Sequence, residues 1–274
     1  MTTTMRGTLP RVLALPAMLG LALLVLPLIA LVGRVEWATL PADIASPAAL
    51  SALGLSLGTA IAATLVCVAL GVPLALVIAR AGTRTSAVLR AVVTVPLVLP
   101  PMVGGVALLF LFGRQGALGQ ALEAWWGVRI PFTTLAVVLA QVFVALPFLV
   151  LALEGTLRAR GTAFESTAAT LGATRWRTLT HVTLPLAAPG LVAGVVLCFA
   201  RAIGEFGATA LFAGNAPGVT QTMPLAIYTA FNGAGVSQGP AVALSLLLLL
   251  TAVAVLLLVR GWRADGVPRA EGRR

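Results

Sequence analysis

The chain has 274 residues, of which 59% are hydrophobic and 9% charged, and 18 basic against 8 acidic residues give a formal net charge of +10. A soluble domain carries about a quarter charged residues, so this composition, with a mean hydropathy of +1.05, excludes an ordinary soluble protein and indicates an integral membrane one. Every basic residue is arginine, so the chain lacks the lysine that a GxxxxGK[ST] phosphate loop needs, and any ATP it depends on is hydrolysed by another subunit.

About 20 apolar residues cross a bilayer, and six stretches qualify: 12–33, 53–79, 88–112, 133–153, 189–212 and 241–259. They predict an all-α membrane protein with six transmembrane helices in a domain over 12–260, preceded by a short N-terminus, 1–11, and followed by an arginine-rich tail, 261–274. The run 12–33 exceeds the apolar core of a signal peptide, about 7–15 residues, and reads as a retained first span. With both termini cytoplasmic, 14 arginines lie inside, three outside (Arg34, Arg114, Arg129) and one, Arg201, within a span. The positive-inside rule selects this orientation, so basicity here reports topology and not nucleic-acid binding.

Trp37 stands in the first external loop as an interface anchor. In the second span Gly54, Ser56 and Gly58 match the GxSxG turn of hydrolases. That turn needs a strand–turn–helix and a histidine, and the only histidine, His181, lies in a different loop, so small residues easing helix packing are the better reading. The third span opens VPLVLPPMVGG, in which Pro96, Pro100 and Pro101 each remove a backbone donor. A kinked helix and a piece of the translocation path or its gate both fit, since irregular backbone at membrane depth is tolerated inside protein or along a wet cavity. Trp125 and Trp126 mark an external belt, and Pro147 bends the fourth span.

The loop 154–188 is the longest polar passage between apolar segments. Thr162 and Glu165 have capping-box spacing, and Phe164, Ala168 and Leu171 give a short helix one apolar stripe. Gly172 stands where a left-handed terminator belongs, and a second helix, from Arg175 to Val182, is expected to end at Leu184-Pro185. Pro189 then sits near the start of the fifth span. Gly190 and Gly194 there are spaced as GxxxG, and Ala200, Gly204 and Ala208 continue the small residues. Arg201 and Glu205 lie one turn apart inside the same apolar run. An intramembrane charge is costly, so two readings stand: a neutralised pair between helices, or an arginine facing the path beside a moderating carboxylate. Met223 to Phe231 predicts a short helix in the following loop. Cys67 and Cys198 fall in apolar segments and suggest neither a disulfide framework nor a metal site, and no nucleophile–base pair points to catalysis.

The loop motif resembles the signature loop of bacterial ABC-importer permeases in Glu165, Ala168, Ala169, Gly172, Val182, Leu184 and Pro185, except that the usual glutamate position holds Ser166 and Glu165 is one earlier. The stretches 95–101, 171–190 and 199–229 look like the molybdate-type branch, with sulfate/thiosulfate and tungstate permeases close by. The resemblance implies a type I importer fold in the inner membrane. It implies a homodimer whose cytoplasmic loops receive ABC ATPase subunits using ATP and Mg, fed by a periplasmic molybdate-binding protein. This chain would then bind no cofactor and act as no enzyme. An ion-coupled carrier is the alternative class; it commonly shows matching broken helices in its two halves, and the sequence shows a break only in the third span.

Overall fold

The computed structural model describes residues 11–233 and 238–264, and every regular element in them is helical. The expected N-terminal segment before Arg11 and the tail beyond Ala264 lie outside the described residues. A first helix, α1 (Ala14–Gly33), is followed by a short α2 (Leu40–Ile44) and the long α3 (Pro47–Arg80). Ser46 caps α3 by accepting from the Ala49 amide, with Pro47 at the first helical position. Two helices, α4 (Thr83–Val98) and α5 (Pro101–Phe112), then replace the single expected third span and meet at 111°. Leu99 and Pro100 are extended between them, because Pro100 and Pro101 supply no amide to continue the ladder and the residue before a proline avoids the helical region.

The expected external belt is a short helix, α6 (Ala117–Trp126), with Trp125 and Trp126 exposed. Then α7 (Thr134–Arg160) runs seven residues beyond the expected end of the fourth span, so the polar loop begins at Gly161. That loop holds α8 (Ala163–Thr170) and α9 (Arg175–Thr178). A π turn over Leu179–Thr183 joins α9 directly to α10 (Leu184–Ile203). The expected helix end at Leu184-Pro185 is therefore overturned: one helical path runs from Arg175 to Ile203. Leu184 N–H donates to the Leu179 carbonyl, five residues back, and this widened turn accommodates Pro185, whose ring would clash with the carbonyl four residues back in a regular helix. Pro189 accordingly lies inside α10 and not at its start.

The fifth apolar run breaks at Gly204–Phe206 and resumes as α11 (Gly207–Phe212), so a second broken helix is present after all. The next loop forms α12 (Met223–Asn232), close to the expected bounds, before α13 (Gly239–Ala264). Four helical paths are long and apolar enough to cross a membrane: α1, α3, α7 and Arg175–Ile203. The bent pair α4–α5 would make a fifth, and α13 is apolar over Gly239–Val255.

The core lies along α7, flanked by α3 and α10. A Cβ on Gly190 would lie 2.0 Å from Thr156 Oγ1, and one on Gly194 3.1 Å from the Leu149 backbone. The expected close-packing face is therefore real at Gly190 and Gly194, where it is pressed on α7, but it does not continue: Ala200 and Gly204 are exposed and Ala208 lies beyond the helix end. Gly54 and Gly58 do not pack this way either. Nothing lies within 4 Å of a Cβ on either, and both are exposed on α3. Ser56, fully buried between them, accepts a 2.7 Å bond from the Met223 amide and so anchors α12 to α3.

Candidate functional site

Two regions gather the candidate residues. The first is the α8–α9 hairpin. Gly172 has φ +80°, its amide donates to Ala169 O, and the Ala173 amide donates to Ala168 O. These two bonds form a Schellman turn, in which the Ala168 and Ala169 carbonyls and the left-handed Gly172 close α8. Phe164, Leu171 and Trp176 are exposed on this hairpin. Leu184 and Pro185 stand at the foot of α10, below the π turn.

The expected capping box is absent: Thr162 makes no side-chain cap bond. Glu165 is used differently. Its Oε1 accepts from the Arg80 guanidinium at the end of α3 and from Thr183 Oγ1 at 2.7 Å. A carboxylate flanked by an arginine gains more from a charge-assisted bond than from reaching back to its own N-cap amide. Ser166, at the signature glutamate position, is exposed and its hydroxyl donates to Ala163 O.

A neighbouring carboxylate escaped sequence reasoning. Glu154, 3% exposed on α7, pairs with Arg90 of α4 at 2.5 Å and with Arg158 one turn on, while Arg158 also reaches Ser86. The i, i+4 spacing of Glu154 and Arg158 was readable; Arg90, 64 residues away, was not.

The second region is the pair of helix breaks. Arg201 and Glu205 form the expected ion pair at 2.5 Å, with the Arg201 side chain 26% and the Glu205 side chain 1% exposed. Glu205 Oε1 also accepts from the Ala208 amide at 2.7 Å, so the carboxylate ties the end of α10 to the first turn of α11 across the break. A Cβ on Gly207 would lie 2.9 Å from Pro101 Cβ, and one on Gly105 2.8 Å from Ala208 O. The broken third and fifth runs thus press together at their breaks. Pro100 and Pro101 sit at that junction and are exposed, whereas Pro96 lies inside α4, a turn before it. Arg201 shares its face of α10 with exposed Leu197, Ala200 and Gly204.

Phe206, within the break, packs at a tilt against Tyr228 of α12 with ring centroids 5.0 Å apart. Deeper in α7, Gln141 is fully buried with neither amide atom hydrogen-bonded among the described residues. A lone glutamine in an apolar span was the available signal. Among the described residues no cluster of acidic, histidine or cysteine side chains could hold a metal ion.

Residues 71–263 match the family model described as "binding-protein-dependent transport system inner membrane component". The molybdenum transport system permease protein ModB of Mycobacterium bovis is 51% identical over 249 residues, covering 91% of this chain and 93% of the relative. Its Escherichia coli K12 counterpart is 39% identical over 211 residues, covering 77% and 91%. Among solved structures, a chain of a bacterial alginate ABC transporter superposes with TM-score 0.72 at 17% identity, covering 91% of each chain. A chain of the inward-facing MetNI methionine ABC transporter gives TM-score 0.62 at 18% identity, covering 80% and 96%. At such identities these two share the fold.

Proposed function

Because the chain belongs to the family of binding-protein-dependent transport system inner membrane components, we propose that it is the non-catalytic permease subunit of an ATP-driven importer that carries molybdate across the inner membrane. The substrate follows from the molybdenum permeases to which the chain is similar over nine-tenths of its length. The observation that carries the mechanism is the α8–α9 hairpin: a Schellman-closed element that exposes Phe164, Leu171 and Trp176. Such an apolar patch beside arginines suits a protein partner, here the ABC ATPase subunit that binds ATP and Mg.

In this reading the chain crosses the membrane six times, α4–α5 as one bent span and α13 as the last, with both termini and the hairpin cytoplasmic. A periplasmic binding protein delivers the anion to the opposite face, and two copies of the chain enclose the path. The exposed α10 face carrying Arg201 lines that path. Glu205 holds the arginine in place and moderates its field, so that a dianion is attracted without being trapped. The chain itself binds no cofactor.

The test is ATP hydrolysis by the reconstituted permease–ATPase complex with its binding protein, comparing molybdate, tungstate and sulfate. Stimulation by molybdate is expected. Stimulation by sulfate alone would reassign the substrate, and uptake without any ATPase subunit would replace the importer by a carrier.

A further inference from the structure

Glu165 sits on a helix with no buried residue, yet its own side chain is 20% exposed and turned inward. One oxygen, Oε1, receives both the Arg80 guanidinium and the Thr183 hydroxyl. Arg80 is the last residue of α3, and Thr183, 6% exposed, is the last residue of the π turn. Three elements therefore meet on a single carboxylate. Packing does not duplicate the arm of the tie that reaches α3. A groove of about 620 Å³ separates the hairpin from α3, lined by Leu76, Arg80, Glu165, Arg175, Leu179 and Thr183, and α8 packs mainly on α9 and the π turn. The Arg80–Glu165 contact spans a gap that side chains do not fill.

Beyond Thr183 the mechanics change. The π turn and the donor-less Pro185 leave the ladder weaker there than in a regular helix, which is where helices bend. From Leu184 on, α10 is seated on α7 through Gly190 and Gly194 and ends at the Gly204–Phe206 break.

We propose that Arg80, Glu165 and Thr183 form an internal latch through which displacement of the hairpin is passed to α3 and to the π turn, making Glu165 a positioning residue that acts inside the permease and not a contact to the ATPase. The hairpin surface carries the docking; the carboxylate beneath it carries the motion. This rests on the reading that an ATPase docks on the hairpin.

The experiment measures molybdate taken up per ATP hydrolysed by the complete reconstituted importer. Glu165→Gln keeps the side-chain shape but removes the charge. It should leave ATPase co-purification and hydrolysis near wild type while uptake per ATP falls about 5-fold or more, the lower range of measured site-to-site coupling. The exchange Arg80→Glu with Glu165→Arg should recover most of the loss. Thr183→Val, a buried change that leaves the hairpin surface untouched, should lower uptake per ATP in the same direction.

Loss of the ATPase from Glu165→Gln would overturn the proposal, because it would make Glu165 a docking contact. Unchanged uptake per ATP in both Glu165→Gln and Thr183→Val would also overturn it. Absence of ATP-driven uptake in the wild-type complex would instead count against the importer reading itself, so the two failures are distinct.

Discussion

At Gly172 the backbone has φ +80°, a conformation that costs an L residue about 1–2 kcal/mol. A Cβ there would meet nothing within 4 Å, so the whole penalty comes from the backbone. Gly172→Asn, whose side chain tolerates the left-handed region, is expected to retain transport. Gly172→Val should insert normally but hydrolyse ATP with little uptake; equal uptake by the two variants would show that the turn is dispensable. This residue was legible in the sequence because its demand is local. Glu165 was only half legible: the loop motif singled it out, but Arg80 lies 85 positions away, and chain spacing gives no sight of such a partner. At Arg201 and Glu205 the spacing foretold the ion pair and not the Ala208 bond. Glu205 is 1% exposed, and stripping a buried charge of its partner costs about 3–5 kcal/mol. Arg201→Gln alone should therefore lower the melting temperature more than Arg201→Gln with Glu205→Gln. The double variant should still hydrolyse ATP and transport poorly, and full transport by it would remove Arg201 from the path.

Among the elements, the α7–α10 seam is the most constrained. Gly190 has no room for a Cβ beside Thr156, so Gly190→Leu should destabilise the protein by about 1–3 kcal/mol through overpacking, read as a lower thermal midpoint in detergent. Gly58→Leu, on the open face of α3, serves as the control and should leave that midpoint unchanged. The same glycine spacing thus meant packing in one helix and not in the other, since pattern alone does not say which face meets a neighbour. Proline misled in a comparable way. At Pro100-Pro101 it broke the helix, whereas at Pro185 the π turn absorbed it. The break at Gly204–Phe206 went unseen because Arg201 and Glu205 at helical spacing read as one continuous helix, and Glu205 secures that break by a bond that only the fold brings about.

For the whole molecule, the proposed orientation rests on the arginines, 14 of which it puts on the cytoplasmic side against three outside. Cysteines introduced at Thr85 and Ala173 should react with impermeant thiol reagents only from the cytoplasm, and one at Gly218 only from outside. The native Cys67 and Cys198 are fully buried and should stay silent. External labelling at Ala173 would end the importer reading, because no ATPase could reach the hairpin. Over the same molecule α1 stands apart, for none of its residues is buried among the described residues. Elsewhere a side chain is judged by the shape of its neighbours; here the chain offers few, mainly from α13. Within this chain α1 therefore contributes length and apolarity more than fit. At 1.5 Å per residue its 20 residues span about 30 Å, the thickness of the hydrocarbon layer. Reshuffling leucine, valine and alanine along it, with the count kept, should therefore leave the packing within this chain intact.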